Sequence, residues 1–285
     1  MTDSQTPRPP GPWDPKPGQP VPPPAHVASP TNPRADRETL DKGQHPVWAV
    51  VSTLLLGGLI WVFTGSWIAV VAILFGLLVH EYGHVLAMNA YGMGPARIYI
   101  VPFLGGMAKA QRLAESEWHG VLVSLAGPAF GLLAAIPFFG LFIVTGDGMW
   151  LQGVFYIAML NLLNLAPAPP LDGSKALGPV LALIHPMVEK VAMVVVGAVA
   201  VLWGLSNGNW PFAAFLALAL FGHLRRGHWR PEGRRLTTVE AGRSVGLFVL
   251  TAAACFGVAL AGLMPLAGSF EQALAGGVSY FEFGR

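Results

Sequence analysis

From Pro46 to Leu266 the chain reads as long apolar runs separated by short polar punctuation. A helix that crosses a bilayer needs about 20 apolar residues, at about 1.5 Å each, to traverse a hydrocarbon core of about 30 Å. Val47 to Phe63, Trp67 to Ala90, Trp118 to Val144 and Trp150 to Leu165 predict four such spans. Val188 to Leu205 and Trp210 to Leu224 predict a fifth and a short sixth across a tight turn, and Ser244 to Leu266 a seventh. Several runs open on Trp, which suits the interfacial belt. The expected architecture is an all-α polytopic membrane protein with six to seven transmembrane helices over residues 46–266. Pro167, Pro169 and Pro170 cannot continue a helix, so the fourth span is expected to break near Leu165.

The two ends read differently. Residues 1–45 hold about half of the chain's 25 prolines, with charges of both signs and few aliphatic residues. Such a segment cannot bury enough apolar surface to offset its ordering entropy and is expected to be a disordered tail. Its start is polar, so no cleaved signal peptide is expected. Residues 267–285 are expected to form a short tail on the opposite side.

Composition sharpens this picture. The chain is 53% hydrophobic and only 11% charged, less than half the roughly 25% of soluble domains. A net charge of +2 gives no reason to expect nucleic acid. The single cysteine, Cys255, excludes an internal disulfide framework and a thiolate metal cluster. Lys and Arg cluster in alternate connections: Arg34, Arg37 and Lys42; Arg97, Lys109 and Arg112; Lys175 and Lys190; and "RRGHWRPEGRR" from Arg225 to Arg235. The other connections carry none. The positive-inside rule therefore predicts a cytoplasmic N-terminus and an external C-terminus in a cell membrane. The basic segment after the sixth span would rest on anionic lipid.

Against this background His80, Glu81 and His84 stand out, because they continue an apolar run. His80 lies 13 residues after Trp67, roughly 20 Å into the span at 1.5 Å per residue. Residues four apart share a helix face, so His80 and His84 can hold one ion while Glu81 reaches its water. This is the H-E-x-x-H pattern of zinc metalloproteases. At that depth an unpaired charge costs at least about 2.5–3.5 kcal/mol. A catalytic zinc usually takes three protein ligands. Asp147 lies on the wrong side, Glu115 and Glu117 are too shallow, and Glu189 sits at the edge of the fifth span, leaving Asp172 as the expected third ligand. Asn164, one residue before the break, offers an amide that faces the same cavity, caps the helix or bridges to a neighbour. His119, His185, His223 and His228 are read as solvated or capping residues, and Met88, Met93 and Met107 as core filling.

The two motifs together resemble the site-2 protease family of intramembrane zinc metalloproteases. "HEYGH" at 80–84 matches its H-E-x-x-H, and "NLAPAPPLDG" at 164–173 is similar to its N-x-x-P-x-P-P-L-D-G. Weaker similarity lies in "PFLGGMA" at 102–108 and "SLAGPAFG" at 124–131. The resemblance implies a three-helix catalytic core over about residues 67–176. It implies one zinc on His80, His84 and Asp172, Glu81 as catalytic base and acid, and Asn164 holding the substrate carbonyl or oxyanion. It also implies a single-span membrane protein as substrate, such as an anti-sigma factor or pro-factor. Relatives often carry an Asn shortly after the Gly-Pro of the third core helix, where this chain has Phe130 and Gly131. No PDZ insertion or paired CBS modules are expected, so gating falls to the spans, the loops or a separate regulatory partner.

The stretch Ala96 to Gln111 alternates apolar residues around a Gly-Gly and reads either as a hairpin whose edge pairs with substrate or as a plain connector. The other reading of the whole chain is a non-enzymatic membrane zinc-binding or zinc-transport protein. The bare external halves of the spans and the presence of Glu81 speak against it.

Overall fold

The computed structural model describes residues 41, 43–101, 105–206, 208, 210–226, 233–269 and 271–272. Most of both expected tails, His228 and much of the basic segment lie outside the described residues, as does the side chain of His223.

Nine α-helices and one hairpin are formed among the described residues. Helix α1 runs Pro46–Thr64, with Pro46 opening it and Gly65 closing it at positive φ. Helix α2, Trp67–Ala90, is capped by Ser66, whose hydroxyl accepts from the Ala69 N–H at 3.4 Å. Strands β1, Arg97–Val101, and β2, Gly105–Lys109, pair antiparallel with Arg97 opposite Lys109 and Val101 opposite Gly105. The hairpin expected over this stretch is formed.

Helix α3, Glu117–Gly131, passes through a 3₁₀ turn at Leu132–Ala134 into α4, Ala135–Thr145, to make one apolar run. Pro137 lacks the N–H that would reach back to residue 133, and the tighter turn just before it accommodates that loss. Helix α5 is Met149–Asn164 and α6 is Asp172–Ile184. Helices α7, Pro186–Ser206, α8, Trp210–Arg226, and α9, Thr238–Ala267, complete the set. Five runs are long and apolar enough to cross a membrane: α1, α2, α3–α4, α7 and α9. Helix α5 is apolar but has only 16 residues.

Two departures from the sequence reading matter. Residues 172–184 form a helix of their own instead of a connection. The last helix begins six residues earlier than the apolar run, at Thr238, because Thr237 and Glu240 form a reciprocal capping box. Just before it, residues 233–237 dock on the start of α3. Arg234 N–H donates to Glu115 O, Glu117 N–H to Arg234 O, and Leu236 N–H to Glu117 Oε2. Glu117, expected to be a shallow loop residue, is therefore buried at a helix start. His119 is not the cap of this helix; Ser116 caps it, and the His119 ring stacks on Tyr91 at 4.6 Å. Met93 and Met88 do pack in a small core with Ala114 and Val123, whereas Met107 is exposed.

The centre of the molecule is α2 packed between α3 and α5, with α9 closing over α5 and α6. Glycines set these close approaches. A methyl group at Gly83 would stand 2.6 Å from Ala126 O and 2.7 Å from Phe130 Cβ, so α2 and α3 meet backbone to backbone there. A methyl at Gly173 would collide with the carbonyls of Leu165 and Ala166. Only glycine lets the chain double back after the three prolines, and that return brings Asp172 toward α2.

Candidate metal centre

His80 and His84 lie one turn apart on the buried face of α2, and Asp172 opens α6 across from them. His80 Nε2 and His84 Nε2 are each 3.1 Å from Asp172 Oδ2 and 3.1 Å from one another. Three residues expected to act together are thus brought together, from positions 80, 84 and 172. The second Asp172 oxygen, Oδ1, lies 3.5 Å from Lys175 Nζ, and the first turn of α6 favours the carboxylate further.

The other ring nitrogens decide the chemistry of this triangle. His84 Nδ1 lies 2.8 Å from the main-chain carbonyl of Val123, and His80 Nδ1 lies 2.9 Å from Asn161 Oδ1. Asn161 Nδ2 donates to Ile157 O at 2.8 Å, which fixes the amide with its oxygen toward the imidazole. A carbonyl and an amide oxygen only accept, so both Nδ1 atoms carry a proton, and in the neutral imidazoles both Nε2 atoms present lone pairs. With both rings neutral, two lone-pair nitrogens and a carboxylate oxygen converge on one point. Such a cluster calls for a cation. Ligand atoms at about 2.0–2.1 Å from a tetrahedral zinc stand roughly 3.3 Å from each other, close to the separations seen. Nitrogen and carboxylate donors without thiolate suit zinc, and the residues present fit the group.

Glycines wall the site as well. A methyl on Gly127 of α3 would stand 2.9 Å from His80 Nε2 and would press on His84. A methyl on Gly106 of β2 would stand 2.7 Å from Glu81 Oε1, so the hairpin lies directly on the Glu81 carboxylate. Glu81 itself is buried beside the two histidines.

Asn164 is half-buried and donates Nδ2 to Leu160 O at 3.0 Å, the back-bond of a polar residue in a helix end. An amide carries two N–H groups, so one is left over. The residue missed in the sequence is Asn161, fully buried at the junction of α2, α3 and α5. A signal was there: an amide 11 residues beyond Trp150 lies at nearly the depth of His80 beyond Trp67.

Residues 68–157 match the model of the family described as Peptidase family M50. Over 131 residues the chain is 32% identical to "Putative zinc metalloprotease sll0528" of Synechocystis sp.. That match covers 43% of this chain, which spans about a third (33%) of the relative's length. Among solved structures, the site-2 protease from Methanocaldococcus jannaschii aligns with a TM-score of 0.44 at 17% identity, covering 67% of this chain and 93% of that one. The resemblance to the site-2 protease family read from the two motifs is supported by the family match and the curated relative.

Proposed function

From the premise that residues 68–157 carry the pattern of peptidase family M50, we propose that this chain is a zinc-dependent metalloendopeptidase of a cell membrane. Its substrate in this reading is a single-span membrane protein, such as an anti-sigma factor or pro-factor, cut within or near its transmembrane segment. The observation that carries the proposal is the 3.1 Å triangle of His80 Nε2, His84 Nε2 and Asp172 Oδ2 with Glu81 one residue away on the same helix.

In this reading His80, His84 and Asp172 hold zinc. When bound, zinc lowers the pKa of a water toward 7 and polarises the carbonyl to be attacked. Glu81 takes the proton of the attacking water and returns it to the leaving amine nitrogen. The C–N bond breaks as the carboxyl product forms. Asn164 keeps one N–H on Leu160 O and turns the other to the developing oxyanion, a contribution of about 2.7–4 kcal/mol in well-characterised proteases.

A helical substrate hides its scissile carbonyl in its own hydrogen bonds, so it must be drawn out as an extended strand. One edge of the hairpin is already taken. Gln44 receives the Ile100 N–H on Oε1 at 2.9 Å and donates Nε2 to Ile100 O at 3.0 Å, imitating a neighbouring strand. Ile100 thus points both backbone groups outward, and by antiparallel alternation its partner Gly106 points both toward the far edge of β2. The face of β2 at Gly106 lies on Glu81, so an unwound segment paired along the far edge of β2 would run close to that carboxylate. The alternation of basic connections favours a cytoplasmic N-terminus and a site that opens inward.

The test is zinc content and cleavage of single-span substrates in liposomes, for wild type and Glu81→Gln. Both proteins are expected to hold one zinc, with only the wild type cleaving. Zinc in both and cleavage by neither, across a broad substrate panel, would favour the zinc-binding or transport reading. No zinc in either would remove the site altogether.

A further inference from the structure

The two histidines are oriented by different means. His84 leans on a main-chain carbonyl that no substitution can delete, whereas His80 leans on a side chain. We propose that Asn161 is the positioning residue of His80, and that glycine at position 131 is the condition for its amide to reach that imidazole. The inference rests on the reading of His80 as a zinc ligand and adds a specific residue to it.

Burying an unbonded amide among apolar helices is costly, and Asn161 is fully buried in the last turn of α5. Both of its polar ends are occupied. Nδ2 donates to Ile157 O on its own helix, which turns Oδ1 across to α2, where it accepts from His80 Nδ1. The amide therefore performs two selections at once. It keeps the proton on Nδ1, leaving Nε2 bare for the metal, and it fixes the plane of the ring so that this lone pair points at Asp172 and His84. Without it, His80 is free to carry its proton on Nε2, where it would bond to Asp172 and exclude a cation. Gly131 faces the same amide from α3. A methyl there would stand 2.7 Å from both Cγ and Nδ2 of Asn161, and closer still to its oxygen. Position 131 and position 161 share one space, and the chain fills it from α5.

Three variants test this in the full-length, detergent-purified protein: Asn161→Leu, which keeps the bulk and loses the acceptor; Asn161→Asp, which keeps an acceptor oxygen; and Gly131→Ala, which leaves Asn161 present but displaced. The readouts are zinc affinity by chelator competition and the visible spectrum of the Co²⁺-substituted protein. Asn161→Leu and Gly131→Ala are expected to bind zinc about 10–100-fold more weakly with altered cobalt bands, and Asn161→Asp to stay within about threefold of wild type. Leucine and aspartate variants that both match wild type overturn the proposal. So do leucine and aspartate variants weakened alike, since that marks a packing role. Should Asn161→Leu fail to fold, Gly131→Ala with unchanged affinity overturns it. Wild type that binds no zinc removes the metal-site reading itself, a result distinct from all of these.

Discussion

Helices α2, α3–α4 and α5 are the same three elements at both ends, yet the two ends are held by different physics. Near Trp67 the contacts are aromatic and aliphatic. Trp67 meets Trp150 edge-on at 5.9 Å, Phe138 lies 6.1 Å from Trp150 and 6.4 Å from Phe75, and Ile68, Ala72, Ala134, Val154 and Ile157 fill the space between. Near His80 the contacts are polar approaches of 2.8–3.1 Å, and the space between helices is kept by glycines. Dispersion contacts contribute about 0.1–0.2 kcal/mol per atom pair and none is indispensable. At the polar end a single exchanged atom changes which nitrogen carries a proton. The apolar end supplies stability that tolerates approximation, and the polar end uses it to hold an arrangement that does not.

The sharpest way to break this contrast is Asp172→Asn. It keeps shape and volume and replaces one acceptor oxygen by a donor. Zinc affinity should fall by more than the about 10–100-fold that outer-sphere changes cost, with helical content unchanged; metal analysis after dialysis and circular dichroism check it. Gly127→Ala comes next. Its methyl enters beside both Nε2 atoms, and cleavage of a single-span substrate is expected to drop about 10–100-fold. Retained cleavage would show that the glycine wall is looser than drawn. The smallest effect is expected from Ile68→Val, a methylene removed at the apolar end. It should cost roughly 0.5–1.5 kcal/mol in denaturant unfolding, with zinc affinity and cleavage unchanged. A loss of zinc there would mean that the two ends are not separable.

Much of this was legible before any coordinates. Hydropathy found every long helix, because a bilayer imposes a length and a composition that few other constraints imitate. The spacing of His80 and His84 gave a shared face, and the prolines gave the break after α5. What escaped notice depends on contacts remote in sequence. Asn161 and His80 are 81 residues apart, and an amide inside an apolar run carries no mark of which helix it addresses. The start of α9 was hidden because Thr238, Glu240 and Arg243 belong to a polar turn that hydropathy does not count as helix. The roles of Gly106, Gly127 and Gly131 were equally hidden, since a missing side chain says nothing about what fills its place.

The shared space between Gly131 and Asn161 has a consequence for anyone altering this protein. An alanine scan would score both positions as sensitive, since losing the amide at 161 and adding a methyl at 131 each spoil the same contact. Varied together they form a two-letter lock: an amide at 131 facing glycine at 161 is an arrangement that single steps cannot reach. Libraries aimed at this site should therefore randomise the two positions as one unit, although they lie thirty residues apart along the chain.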